Sequence, residues 1–185
     1  MSDPSRSWTG RALARLARLR VALGFASGAL VLWLAEPTAG SVMAGGAVAC
    51  LGESLRIWAA GHLRKSREVT SSGPYRWTAH PLYVGSSVMG AGLAIASARA
   101  IVAALIAVYL IVTLTVAART EEGFLRRTFG DSYDRYRSGD AAANRSGDPD
   151  RRFSLAQARA NHEYRALIGL AVAMLLLAWK AARHS

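Results

Sequence analysis

The chain has 185 residues, a length that suits one domain. It is 52% hydrophobic and yet carries a formal net charge of +11 at pH 7, two properties that soluble domains seldom combine. The apolar stretches alternate with arginine-rich ones, which is typical of a polytopic membrane protein. Because the arginines stand beside the hydrophobic spans, anionic lipid headgroups account for them better than nucleic acid does.

Cysteine usage predicts neither a disulfide nor a metal site. The single cysteine, Cys50, cannot form an internal disulfide and lies among apolar residues, where a thiol behaves as a small hydrophobic group. No cysteine and histidine have the spacing of zinc ligands. We therefore expect neither metal chemistry nor a cysteine nucleophile.

The N-terminal third of the sequence predicts two helical spans. The first runs from Val21 to Ala35 and follows an arginine-rich stretch, residues 1–20, which we interpret as a signal-anchor. The second runs from about Val42 to His62 and contains Glu53 and Arg56, three residues apart and therefore on one helix face. Ionisable groups at membrane depth are costly unless they are paired or face a wet cavity, so this pair is either structural or part of a functional site.

The middle of the sequence predicts a third and a fourth span joined by a short turn. A basic loop ends at the turn signal Gly73-Pro74, and Pro81 suits the first turn of a helix. We therefore expect the third span from Leu82 to Ser97, rich in small residues that favour close packing. The fourth span, Ala100 to Ala118, continues as an amphipathic helix, Arg119 to Phe129.

The C-terminal part predicts a loop followed by one helix. Residues Gly139 to Asp150 are polar and small, which is typical of a flexible loop. The tetrapeptide Ser154-Leu155-Ala156-Gln157 matches a capping box, so a helix is expected to begin near Leu155. This helix leads into a final apolar run, Ala166 to Trp179, which is short for a full crossing.

Together these segments predict a single all-α domain over residues 1–185, a polytopic membrane helix bundle of about five transmembrane helices. The positive-inside rule places the N-terminus, the loop around Arg64 to Arg76 and the segment Arg119 to Arg165 in the cytoplasm. We expect an integral membrane protein, in the inner (cytoplasmic) membrane, with its active-site loops on the cytoplasmic face. Membrane lipids are then its immediate partners, and no nucleic acid is expected.

Polar groups from two distant places are expected to meet on the cytoplasmic side. The third and fourth spans are antiparallel neighbours, so His80 and Tyr83 lie at the same level as Glu121 and Glu122. Carboxylates accept hydrogen bonds from ribose hydroxyls or an ammonium group, and aromatic rings can face a sulfonium or an adenine. Taken alone, His80 is also compatible with a helix N-cap, and the glutamates with a solvated helix start. The prediction of a binding site therefore depends on these side chains lying close together in the folded protein.

A resemblance to a known family rests on motifs in this region. They are Gly73-Pro74-Tyr75-Arg76, His80-Pro81-Leu82-Tyr83, and Glu121-Glu122 followed by Phe129-Gly130 and Tyr133. In this order and spacing they resemble the isoprenylcysteine carboxyl methyltransferase family, part of a wider set of integral-membrane methyltransferases that includes phospholipid N-methyltransferases. The resemblance covers roughly Leu51 to Arg137. It implies S-adenosylmethionine as cofactor, bound without a Rossmann fold. The implied cofactor contacts are His80, Tyr83, Glu121 and Glu122, with Tyr75 and Arg76 lining the approach.

The resemblance implies methyl transfer to an amphiphilic small-molecule or prenylated acceptor, an isoprenylcysteine-type carboxylate or a lipid head group. Carboxyl O-methylation is the expected subtype, and the apolar part of the acceptor is expected to enter near spans two and three. The candidate catalytic residues are Arg56 and Arg119, which can orient an acceptor carboxylate; for an amine acceptor, Glu53 or a tyrosine is a candidate base.

One departure from the family pattern keeps two alternatives open. The family usually has an arginine where this chain has Ala79, so Arg76 or Arg119 must take over if that arginine holds the cofactor carboxylate. The first alternative is a non-catalytic lipid- or partner-binding membrane protein of the same fold. The second is an NADPH-dependent membrane reductase, since sterol reductases share a similar His-Pro-x-Tyr segment.

Overall fold

The computed structural model describes residues 24, 26–63, 70, 72–129 and 152–184. Within these residues the chain is helical and contains no strand, so the predicted all-α fold is confirmed for them. The helices are α1 (26–34), α2 (Ala39–His62), a 3-10 helix (Gly73–Arg76), α3 (Pro81–Ser97), α4 (Ala100–Phe129), α5 (Leu155–Ala160) and α6 (Tyr164–His184). The predicted signal-anchor 1–20 and the predicted loop 139–150 lie outside the described residues.

Local sequence signals explain where α2 and α3 begin and end. Thr38 and Ser41 cap α2 reciprocally, each side-chain oxygen accepting a hydrogen bond from the other residue's backbone N–H, at 3.1 and 2.9 Å. Pro81 is the first residue of α3, and His80 precedes it without using its side chain as a cap. α3 ends at Ala98, whose φ of 52° turns the chain directly into α4. The third and fourth spans are therefore antiparallel neighbours, as predicted.

The backbones of α2 and α3 are in direct contact. A Cβ added at Gly45, Gly52 or Gly92 would lie 2.4 Å from a backbone atom of the facing helix, closer than real contacts allow. Glycine is required at these positions because only its missing side chain lets the helices approach this closely. This packing leaves no room for an acyl chain between α2 and α3 at the level of these glycines, and acceptor entry elsewhere near spans two and three stays a prediction.

The C-terminal segment contains a break that the sequence analysis did not predict. α5 begins at Leu155 as expected, with Ser154 Oγ accepting a hydrogen bond from the backbone N–H of Gln157 at 3.2 Å. The expected single helix is interrupted after Ala160, where His162 adopts the left-handed φ of 62°. α6 then runs for 21 residues and is longer than the predicted apolar run.

Two of the described helices are long and apolar enough to cross a membrane. They are Ala100–Gly123, with 24 residues, and Tyr164–Arg183, with 20 residues. Only 11% and 17% of their most apolar stretches are buried within the protein, so most of their apolar surface faces outward. α3 is a shorter apolar helix. Length and composition thus give two candidate membrane-crossing helices among the described residues, and the about five predicted are not shown.

One end of the bundle, which we call the turn end, gathers the α1–α2 and α3–α4 turns and the last turns of α6. Ala35, Ala96 and Leu177 form a buried apolar cluster there. Lys180 Nζ donates hydrogen bonds to the carbonyl oxygens of residues 32 and 33, at 3.0 and 2.7 Å, and so caps the last turn of α1. The opposite end, which we call the site end, carries the start of α3 and the exit of α4.

Candidate functional site

Four of the predicted site residues come together at the site end. Tyr83 Oη donates a hydrogen bond to Glu121 Oε2 at 2.6 Å, across 38 residues of sequence. His80 Nδ1 lies 3.8 Å from Glu121 Oε2, and His80 Nε2 lies 3.7 Å from Glu122 Oε1. The imidazole therefore stands between two carboxylates that the fourth span contributes.

Helix geometry explains why one ring reaches both acids. Consecutive residues on an α-helix point about 100° apart, so Glu121 and Glu122 diverge from α4. An imidazole has one nitrogen on each side of the ring and can face two groups at once. The rings of His80 and Tyr83 are stacked, with centroids 5.2 Å apart and planes 20° from parallel, which fixes the ring direction.

The site is neither closed nor fully solvated. The side chains of His80, Glu121 and Glu122 are 22%, 42% and 26% exposed. Partial exposure leaves space for a ligand, while the reduced solvation strengthens its electrostatic interactions. Two carboxylates beside stacked rings suit a ligand that carries hydroxyl groups and a positive charge.

Tyr75 and Arg76 belong to the 3-10 helix that precedes α3. Gly73 starts this helix with a φ of +57° and lies against the imidazole of His62. A Cβ added at Gly73 would stand 2.8 Å from atoms of that ring. The ring of Tyr75 is buried at 8% exposure, whereas Arg76 is exposed. Both lie a few residues before His80, and their part in the approach to the site stays a prediction.

Arg56 is at the centre of a buried polar cluster. Its Nε lies 3.4 Å from Glu53 Oε2, its Nη2 lies 2.6 Å from Glu163 Oε1, and its Nη1 donates a hydrogen bond to Ser86 Oγ. The 2.6 Å contact is a close ion pair, although the N–H bond does not point along it. Both Nη atoms have a close partner, and Nε is buried beside Glu53 without a hydrogen bond within the described residues. An acceptor carboxylate could therefore bind the Nη atoms of Arg56 only by displacing Ser86 or Glu163.

Sequence reasoning missed Glu163. Its side chain comes from the break between α5 and α6 and is 8% exposed. Nothing in its local sequence marks it as buried, because it stands in the polar segment before an apolar run. The available signal was indirect: Arg56, inside a span and carrying a formal charge, needs a close acidic partner.

Arg119, the other predicted catalytic residue, is exposed on α4. It stands three residues before Glu122 and so on the same side of the helix. This position is compatible with contact to an acceptor or a cofactor carboxylate, and its role stays a prediction. The motif residues Gly130 and Tyr133, on which part of the resemblance rests, lie outside the described residues.

Comparison with known proteins identifies the family. The phospholipid methyltransferase family matches residues 38–132, which is 95 of the 185 residues. The match begins at the cap of α2 and includes the 3-10 helix, α3, α4 and the four converging side chains. Comparison with curated proteins and with solved structures gives no match. With the family covering half of the sequence and all of the site, the chain belongs to the phospholipid methyltransferase family, membrane methyltransferases related to the isoprenylcysteine carboxyl methyltransferases.

Proposed function

We propose that this protein transfers a methyl group from S-adenosylmethionine to an amphiphilic acceptor at the cytoplasmic face of the inner membrane. Family membership supports methyl transfer to a lipid-like substrate. The observation that carries the site is the hydrogen bond from Tyr83 to Glu121, since it joins the start of α3 to the acidic pair on α4.

The residues present fit this cofactor. The oxygens of Glu121 and Glu122 can accept hydrogen bonds from ribose hydroxyls or from the ammonium of the methionine part. The stacked rings of His80 and Tyr83 present a π-face to a positively charged group. Arg76 and Arg119, both exposed, are the candidates for the cofactor carboxylate in place of the family arginine that Ala79 replaces.

The bound cofactor supplies a methyl group on a positively charged sulfur, and the protein has to orient it and exclude water. Carboxylates and rings fixed by mutual contacts pre-organise the site, which lowers the entropic cost of aligning two reactants. Transfer then needs no covalent intermediate with the protein.

The acceptor is a carboxylate of the isoprenylcysteine type or the amine of a lipid head group. A carboxylate needs a cation to orient it, and the nitrogens of Arg56 face Glu53, Ser86 and Glu163. Arg119 is then the candidate for that task. An amine needs oxygen atoms that accept hydrogen bonds from it, and at the site end the carboxylates of Glu121 and Glu122 provide such oxygens. Because Glu121, Glu122 and Arg119 are also the candidates for holding the cofactor, both acceptor classes remain proposed, and label transfer decides between them.

The experiment is isothermal titration of the purified protein in lipid nanodiscs with S-adenosylmethionine, and separately with NADPH. Binding of the first ligand alone is expected, and binding of NADPH alone would contradict the proposal. Incubation with methyl-labelled cofactor, phospholipids and prenylcysteine, followed by mass spectrometry, then identifies the acceptor. Label in a lipid amine or in a methyl ester supports transfer; binding without label in either would favour the non-catalytic alternative.

A further inference from the structure

A segment outside the family match contributes a buried acid to the family core. The match ends at residue 132, whereas Glu163 lies in the C-terminal segment 152–184. Glu163 is 8% exposed, and its Oε1 lies 2.6 Å from Nη2 of Arg56 on α2. A buried charge is rarely retained without a partner, so each of these two side chains depends on the other.

Contacts continue from Arg56 to the first turn of α3. Arg56 Nη1 donates a hydrogen bond to Ser86 Oγ, and Ser86 Oγ donates one at 2.8 Å to the carbonyl oxygen of Leu82. Leu82 directly precedes Tyr83, whose hydroxyl is bound to Glu121 at 2.6 Å. The guanidinium is therefore connected, through one hydroxyl, to the turn that carries two of the candidate cofactor contacts.

Glu163, rather than Glu53, is the acid that fixes the guanidinium. The contact of Arg56 with Glu53 is longer, at 3.4 Å against 2.6 Å for Glu163; both oxygens of Glu53, and Oε1 of Glu163, are buried without a hydrogen bond in the described part of the chain, so the contrast rests on the distance. The stem of Arg56 lies on Gly85, where an added Cβ would come within 2.6 Å of its Cγ. With its stem on α3 and its tip against Glu163, Arg56 has little freedom to turn away from Ser86.

The segment that presents Glu163 is itself anchored to α2. Asn161 Nδ2 donates hydrogen bonds to the carbonyl oxygens of Ala60 and Leu63, at 2.8 and 2.9 Å, which satisfies the end of that helix. The backbone N–H of Glu163 donates to the carbonyl oxygen of Ala158 at 3.2 Å. The position of the carboxylate is therefore set by the fold of the segment and not by the side chain alone.

We propose that Glu163 is a positioning residue for the cofactor site. Through Arg56 and Ser86 it holds the first turn of α3 in the orientation that brings His80 and Tyr83 to the acidic pair on α4. The inference rests on the proposed function, because it concerns affinity for the cofactor that this function requires.

The test compares Glu163→Gln with Glu36→Gln by titration with S-adenosylmethionine in nanodiscs, with thermal unfolding measured in parallel. Glu36 forms an ion pair with Arg99 at 3.0 Å at the turn end, so its replacement makes the same chemical change away from the site. Glu163→Gln is expected to weaken binding about tenfold, and Glu36→Gln to leave it unchanged. The double variant Glu163→Gln, Ser86→Ala is expected to bind S-adenosylmethionine with the same affinity as whichever single variant binds it less tightly. Both changes interrupt the same series of contacts, from Glu163 through Arg56 to Ser86.

If the wild-type protein binds S-adenosylmethionine and Glu163→Gln binds it with the same affinity, the inference is overturned and the proposed function is unaffected. The inference would also be overturned if the losses of affinity in the two single variants added up in the double variant. The same holds if affinity fell in proportion to the thermal unfolding midpoint in both Glu163→Gln and the Glu36→Gln control. A wild-type protein that binds no S-adenosylmethionine would overturn both. If Glu163→Gln does not fold, Ser86→Ala alone interrupts the same path; weaker binding is then expected, and unchanged binding overturns the inference.

Discussion

The imidazole of His80 reaches two acids because one histidine nitrogen faces each of them. These His80 contacts are long, at 3.7 and 3.8 Å, whereas the hydroxyl of Tyr83 is in direct hydrogen-bond contact with Glu121. Tyr83 is therefore the residue that joins α3 to α4. Hydrogen bonds to a charged acceptor are stronger than neutral ones. The orientation of the Glu121 carboxylate therefore depends on a phenol on the neighbouring helix.

Tyr83→Phe is expected to weaken S-adenosylmethionine binding about tenfold, because the phenylalanine leaves Glu121 without the hydrogen bond that orients it. The measurement is isothermal titration of the purified protein in nanodiscs. Tyr109→Phe is the matched control, since Tyr109 lies earlier on α4, nearer the turn end, and its hydroxyl faces Gly24. Equal affinities of the two variants would contradict the prediction.

Glu53→Gln is expected to leave stability unchanged or to raise it by about 1 kcal/mol, whereas Glu163→Gln is expected to lower it. Two acids surround one arginine, and both carboxylate oxygens of Glu53 are buried without a hydrogen bond in the described residues, whereas one oxygen of Glu163, Oε1, is in that condition and lies 2.6 Å from Arg56 Nη2. Removing the charge of Glu53 relieves an uncompensated burial cost. The measurement is the thermal unfolding midpoint of both variants in one detergent. A larger loss in Glu53→Gln than in Glu163→Gln would show that the roles of the two acids are reversed.

Side-chain contacts between helices that are neighbours in the sequence could be predicted, whereas contacts with a segment distant in the sequence could not. The meeting of His80 with Glu121 and Glu122 follows from two antiparallel spans and a short turn. The partners of Arg56 do not follow in the same way. Glu163 is separated from it by most of the chain, and no periodicity predicts which polar residue of a connecting segment becomes buried.

Among the elements, α2 and α3 form the most closely packed pair, since glycines remove the side chains between their backbones. The small residues of the third span predicted close packing, but a pattern of small residues does not say which neighbour they face. The starts of α3 and α5 were predicted to within one residue, because Pro81 and Ser154 are local signals, whereas α2 begins at Ala39, three residues before the predicted Val42. The break at His162 was not predicted, because a histidine in the left-handed region has no sequence signature of its own.

Gly92→Ala is expected to destabilise the protein by about 1–3 kcal/mol, because a methyl group would be forced against the backbone of Ala49. Gly40→Ala is the control on α2, since a Cβ there meets nothing within 4 Å. It is expected to leave stability unchanged or to raise it slightly, because alanine favours the helix. Thermal unfolding of both variants in the same detergent measures the difference. A smaller loss for Gly92→Ala than for Gly40→Ala would mean that the two helices are less tightly packed.

In the whole molecule, exposed tryptophans occur at both ends of the bundle. Trp33 and Trp179 lie near the turn end, with 76% and 56% of their surface exposed, and Trp77 lies at the site end, 77% exposed. Tryptophan is enriched at membrane–water interfaces, so the two groups are consistent with a bundle that extends from one interface to the other. The basic loops of the sequence then give the expected direction, with the site end in the cytoplasm.

The orientation can be tested by labelling single cysteines in a Cys50→Ala background. Ala39→Cys lies at the turn end and Arg159→Cys at the site end, and both positions are exposed. In intact cells a membrane-impermeant maleimide is expected to label only the first variant, and in permeabilised cells both. Labelling of only Arg159→Cys in intact cells would reverse the predicted topology and place the candidate site outside.

The cap that Lys180 places on α1 joins two helices that are far apart in the sequence. The carbonyl groups at residues 32 and 33 receive their ammonium partner from a helix that the ribosome completes nearly 150 residues later. Until α6 is inserted, the end of α1 must be satisfied by water or lipid headgroups. The earliest of the described helices is thus held at its end by the latest.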